Sequence, residues 1–182
     1  MTTEDSGALV LVLLGFGLAT SLAAWMPASR RIWAPASLVL LLSAGILTTA
    51  PATVALTTLL VLLAGALAAA GGGPVTALVF DLVDRGHDAA EAPSESMERA
   101  GHVLRGGAWI GVLERVAIFA TLVAGWPEGL AIVLAVKGVG RYPELGPAAD
   151  GGSTGAAERF IIGTFTSVLW ACGCAAVVLL LR

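Results

Sequence analysis

The chain alternates long apolar tracts with short polar breaks. The first tract, GALVLVLLGFGLATSLAAWM (7–26), has the length of one membrane-crossing helix, since about 20 apolar residues span a hydrocarbon core. The second runs over 32–70, too long for a single crossing, and carries TTAPAT near its middle. Pro51 lacks a helical N–H and predicts a tight turn there, dividing the tract into spans 32–49 and 52–70. GGGP (71–74) is expected to stop the third span. Further spans are expected over 106–125, over 128–141, where Pro127 suits a first helical turn, and over 159–181. After GGGP, Val75, Leu78, Val79, Leu82 and Val83 recur at helical spacing, which predicts a short amphipathic helix along the membrane surface. A polar, acidic loop follows to residue 103. The pattern therefore predicts an all-α, polytopic transmembrane bundle in a single domain, 1–182. It has six spans, or five if the Pro51 turn does not form, plus one cytoplasmic amphipathic helix. No internal repeat is visible, so an inverted-repeat transporter plan has no support.

Composition agrees with the pattern. The 182 residues are 57% hydrophobic and 13% charged, with a mean hydropathy of +0.89. Soluble domains carry roughly 25% charged residues. The net charge is -3 and no basic run exceeds two residues, which argues against a nucleic-acid partner. The opening MTTEDSG lacks the basic region of a secretory signal, so the first tract reads as a retained helix. With the N-terminus outside, Arg30, Arg31, Arg85, Arg99, Arg105, Arg141 and Arg159 all fall on the inner side, and only Arg182 lies outside. The positive-inside rule then predicts a multi-pass protein of a bacterial cell inner membrane with both termini external. Trp25, Trp33 and Tyr142 fall near the inner interface and Trp126 near the outer one.

Against this background the charges inside the spans stand out. Each costs about 2.5–3.5 kcal/mol at mid-helix on the insertion scale, so they are expected to face the bundle interior. Glu114 and Arg115 sit mid-span. Gly107, Gly111, Glu114, Ile118 and Thr121 share a helix face, and Gly107 with Gly111 forms a G-x-x-x-G step suited to close helix packing or a homo-oligomer interface. Lys137 and Arg141 lie four apart on one face, and Arg159, Gly163, Thr166 and Trp170 form a small and polar stripe on the last span. Two readings follow. In one, Glu114–Lys137 and Arg115–Glu158 pairs pin the last three helices together. In the other, Glu114, Arg115, Lys137, Arg141, Glu158 and Arg159 line a cavity open to the cytoplasm. Positive groups exceed acidic ones there, so an anionic lipid headgroup or small anion is the expected ligand.

The order IGVLER, LAVKGVGRYPEL, AERFIIGTFTSVLW resembles a signature of small, uncharacterised multi-pass bacterial membrane proteins. Leu113, Glu114, Arg115, Lys137, Arg141, Ala157, Glu158, Ile162, Gly163 and Thr164 carry it, over roughly the last 80 residues. The resemblance implies that the last three helices act as a unit and implies no reaction, cofactor or substrate.

Other signals carry less. Asp81 and Asp84 are spaced like metal-binding aspartates of lipid-modifying enzymes, but the further aspartates such enzymes need on the next helix are missing. His87 and His102 have no clustered cysteine, Cys172 and Cys174 point to nearly opposite helix faces, and no histidine lies in a span to activate Ser167. No catalytic residue, metal or cofactor is assigned. The leading reading is a small transporter or channel-like protein, or a receptor for an anionic ligand. Its rivals are a non-catalytic membrane scaffold that holds a partner through residues 74–103 and a lipid-modifying enzyme.

Overall fold

The computed structural model describes residues 3–26, 28–47, 54–87, 107–145 and 153–181. They form six helices and no strand: α1 (Thr3–Ala23), α2 (Arg30–Ile46), α3 (Val54–His87), α4 (Gly107–Val123), α5 (Glu128–Leu145) and α6 (Ser153–Leu179). Three of them are long and apolar enough to cross a membrane, over Ser6–Ala23, Ala55–Asp84 and Ala157–Leu179. That is fewer than the six spans expected. The shortfall has a plain cause: α2 and α4 have only 17 residues each, and the 18 residues of α5 include Glu128, Lys137, Arg141 and Glu144. The long tract does divide, with α2 ending at Ile46 and α3 starting at Val54. The Pro51 turn itself lies outside the described residues, as does the polar stretch 88–106.

GGGP does not stop a helix. Helix α3 runs straight through it for 34 residues, and the expected surface helix over 75–85 is its continuation. At 1.5 Å per residue α3 is about 51 Å long, against roughly 30 Å for a hydrocarbon core. Three glycines and a proline in a helix interior are unfavourable, by about 1 kcal/mol for each glycine and about 3 for the proline. Tertiary packing overrides that preference, because each glycine accepts a large side chain from a different helix. A Cβ on Gly71 would strike the Trp170 ring and lie 2.8 Å from Ser21 Oγ. One on Gly72 would meet Arg115, with Nε at 2.7 Å, and one on Gly73 would lie 3.3 Å from the Trp25 ring. The run reads as a stop by composition and acts as a docking surface for α6, α4 and α1.

The helices alternate in direction. Gly17 packs on Leu67 and Trp25 on Gly73, so α1 and α3 run parallel. Gly65 meets Phe119 while Gly72 meets Arg115, so α4 runs against α3. Gly71 meets Trp170 and Gly163 meets Phe80, so α6 does too. Helix α3 is central and packs on α1, α2, α4 and α6. Helix α5 touches only α4 and α6, and α1 does not touch α4. The core between α1, α3 and α6 buries Leu14, Leu60, Leu67, Trp170, Cys174 and Val178. Elsewhere the apolar residues point outward: Phe16, Leu62, Trp109, Leu113 and Leu169 are each more than 60% exposed. An apolar exterior of that kind suits a lipid surround.

Helix α4 turns into α5 through a left-handed glycine. Gly125 has φ 76°. Its N–H donates to Leu122 O at 3.0 Å, and the Trp126 N–H donates to Thr121 O at 2.8 Å. These two bonds form a Schellman cap, which satisfies carbonyls the helix end would leave orphaned. The tight reversal sets α5 antiparallel beside α4 and brings Lys137 level with Glu114.

Candidate functional site

Halfway along α3, four consecutive backbone carbonyls accept hydrogen bonds from side chains of α4, α6 and the turn that follows α1. Trp170 Nε1 donates to Leu67 O at 3.1 Å, and Arg115 Nε donates to Ala68 O at 3.0 Å. Arg115 Nη2 donates to Ala69 O at 2.8 Å, and Trp25 Nε1 donates to Ala70 O at 3.0 Å. The last bond follows from the sequence of α3. The carbonyl of Ala70 would normally accept from the N–H four residues on, which is Pro74 and has none. The Trp25 indole supplies the missing donor.

Arg115 is held only by neutral groups. A further bond runs from Nη1 to Ser167 Oγ at 3.3 Å, and the residue is 4% exposed. Among the described residues it makes no ion pair, although Glu114 is its neighbour in sequence. A guanidinium has five N–H donors. Nε, one N–H of Nη1 and one of Nη2 are used, which leaves one on each terminal nitrogen.

Among the described residues, six other charged groups form three ion pairs. Glu114 pairs with Lys137 between α4 and α5. Arg30 pairs with Asp81 at 2.8 Å, joining α2 to α3. Arg159 pairs with Asp84, joining α6 to α3. Two of the cations also sit over rings, Lys137 Nζ 5.9 Å from the centre of Phe160 and the Arg159 guanidinium 5.5 Å from that of Phe80.

Arg115 and these three cations line one cavity of about 680 Å³. The first half of α4 forms one wall, through Gly107, Ala108, Ile110, Gly111 and Glu114. Helix α3 beyond Gly73 and α6 from Arg159 to Ser167 form the other. Trp25, in the turn after α1, and Lys137 of α5 complete the lining. Arg115 lies deep and Arg30 near the end of the bundle. The α3 residues they bind, Ala69 and Asp81, are separated by about 18 Å of helix. Four buried polar atoms have no hydrogen-bond partner among the described residues, and three of them, Arg30 Nε, Thr76 Oγ1 and Thr164 Oγ1, belong to the cavity lining.

Of the six residues read as a binding cluster, Glu114, Arg115, Lys137 and Arg159 meet at the cavity. Glu158 is exposed and is not on the lining, so the expected Arg115–Glu158 pair is replaced by Arg115 on α3 carbonyls. The reason is register: Arg115 lies level with Ser167, two and a half turns beyond Glu158 along α6. Arg141 lies on α5, and its side chain is outside the described residues. Gly163 packs closely on α3, with a Cβ there 3.0 Å from Phe80. Gly111 and Gly107 instead line the cavity, and a Cβ at Gly111 would meet only Arg115 of its own helix. Arg30, Asp81, Asp84, Trp25, Thr76 and Ser167 were not foreseen as part of the site. For Trp25 a signal existed: a proline inside a helix leaves a free carbonyl four residues earlier, and a buried free carbonyl needs a donor.

No family model, curated protein or solved structure matches the chain. The functional reading therefore rests on the cavity.

Proposed function

We propose that this chain is a multi-pass integral membrane protein whose interhelical cavity takes up an anion, acting as a small transporter or as a receptor. The observation that carries the reading is Arg115. Among the described residues, three of the four lining cations are matched one to one by Asp81, Glu114 and Asp84, and Arg115 has no carboxylate partner. A buried charge is tolerated when something compensates it. Carbonyl dipoles do part of that for Arg115, and an anion on its two unused N–H groups would complete it.

The membrane arrangement extends the three clear spans to six crossings. Helices α2 and α4 sit at the lower limit of spanning length, and α5 directs Lys137 onto Glu114. Arg30, Arg31, Arg141 and Arg159 belong to the end of the bundle where α1, α3 and α5 finish. Under the positive-inside rule that end is cytoplasmic and the chain termini are external. The cavity then opens inward. The rival reading as a lipid-modifying enzyme needs Asp81 and Asp84 free to hold a metal, and both are engaged by arginines.

The test is ligand-induced thermal stabilisation of the purified protein in neutral detergent. The panel comprises inorganic phosphate, citrate, phosphatidate, phosphatidylglycerol and phosphatidylcholine. At least one anionic compound should raise the midpoint where phosphatidylcholine does not, and Ile110→Trp, which fills the cavity from an exposed position, should abolish the shift. If every anionic compound behaves like phosphatidylcholine, the anion reading is wrong.

A further inference from the structure

The bundle is not closed around α3. Helices α1 and α2 touch, as do α2 and α6, and α6 and α4, but α4 and α1 do not. Between them, at the end where α1 finishes and α4 begins, lies the cavity, with Ala24 and Trp25 on one side and Gly107, Ala108 and Ile110 on the other. Trp25, just after α1, and Ala108 on α4 both belong to the lining and are both exposed, as is Ile110. A pocket built for a soluble anion needs an aqueous mouth and polar walls. This one has apolar walls of Trp25, Pro74, Phe80, Ile110 and Phe160, with Arg115 buried among them and Arg30 and Arg159 partly exposed.

From this we infer that the ligand is a membrane lipid with a phosphate-bearing headgroup, admitted sideways between α1 and α4. The inference rests on the anion-binding reading above and adds the class of ligand and its route. The headgroup occupies the compartment bounded by Arg115 at depth and Arg30 toward the end of the bundle. The two unused Arg115 N–H groups, Arg30 Nε and the Thr76 and Thr164 hydroxyls supply donors that have no partner among the described residues. A phosphate offers acceptors for several of them at once. The acyl chains stay outside the compartment and lie along Trp25, Ala108 and Ile110 toward the hydrocarbon, so the apolar part of the ligand never leaves an apolar surround. No covalent step is involved. Asp81 and Asp84 keep Arg30 and Arg159 neutralised in the empty state, and a phosphate competes with Asp81 for Arg30 as it enters.

Native mass spectrometry of the full-length, delipidated protein tests this with palmitoyl-oleoyl phosphatidate, palmitoyl-oleoyl phosphatidylcholine and inorganic phosphate as separate probes. Phosphatidate should bind at least tenfold more tightly than either of the others. Ala108→Trp, which plugs the cavity at an exposed position without touching the core, should weaken phosphatidate binding by at least tenfold. Leu62→Trp, an equally bulky change at an exposed position of α3 outside the lining, should leave phosphatidate bound. Equal binding of inorganic phosphate and phosphatidate, unaffected by Ala108→Trp, overturns the lipid inference and leaves an anion site intact. Failure of both probes to bind overturns the inference together with the reading beneath it. Equal binding of phosphatidylcholine and phosphatidate also overturns it, because the headgroup charge then makes no difference.

Discussion

Replacing Gly72 with alanine should destabilise the bundle, although alanine is the better helix former. The new methyl group would occupy the space of the Arg115 side chain, whose Nε would lie 2.7 Å away. Backbone surrounds it on the α3 side, so Arg115 must withdraw from Ala68, Ala69 and Ser167. An interhelical hydrogen bond in a membrane protein is worth about 0.6 kcal/mol on average and up to about 1.7. Losing the bonds to three acceptors costs about 2–5 kcal/mol on that scale. Helix propensity returns about 1 kcal/mol, so the net loss expected is about 1–4 kcal/mol. The control is Gly15→Ala, where a Cβ meets nothing within 4 Å. It should be neutral or more stable. The assay is reversible unfolding by sodium dodecyl sulfate in mixed micelles, followed by circular dichroism. A double-mutant cycle isolates the cause. In an Arg115→Ala background the clash is gone, and Gly72→Ala should then be neutral or stabilising. If Gly72→Ala matches Gly15→Ala in the wild-type background, or stays equally harmful without the Arg115 side chain, then α4 is not docked on α3 in this way.

Other substitutions read the remaining contacts. Lys137→Met leaves Glu114 mostly buried with no cation, which should cost about 3–5 kcal/mol in the same unfolding assay. Glu114→Gln with Lys137→Met should recover much of that loss; a double variant as weak as the single one would mean the two residues are not partners. Asp84→Asn should change stability by less than about 1 kcal/mol, because the Arg159–Asp84 pair is exposed. Trp25→Phe removes the donor to Ala70 O at an exposed hydrogen bond, so it should cost about 0.5–1.5 kcal/mol. Adding Pro74→Ala supplies that carbonyl with a backbone N–H, and the Trp25→Phe penalty should shrink in that background.

The helical character and the approximate helix positions were legible because apolar length is a strong signal and does not depend on neighbours. The grouping of Glu114, Arg115, Lys137 and Arg159 was legible for the same kind of reason: charges too costly to face lipid must face inward. Partners were harder. Glu114–Lys137 follows from two facing helices joined by a short turn, whereas Arg115 was assigned to Glu158 from charge alone. Its true partners are carbonyls of α3, and a carbonyl leaves no mark in a side-chain pattern. GGGP misled for a related reason. Its local preference is to end a helix, and only the three large side chains arriving from elsewhere make continuation favourable. Asp81 and Asp84 followed the same error, since a surface helix would have turned them to water and a continuous α3 brings them to Arg30 and Arg159.

The account turns on a guanidinium buried at the depth of the cavity with two N–H groups unspent. An experimental density map of the protein in lipid nanodiscs containing phosphatidate tests this most directly. The account predicts phosphate density about 3 Å from the Arg115 terminal nitrogens, with Arg115 still on the carbonyls of Ala68 and Ala69 and acyl density between α1 and α4. Arg115 turned away from α3, or paired to a carboxylate with the cavity holding nothing but water, would contradict it.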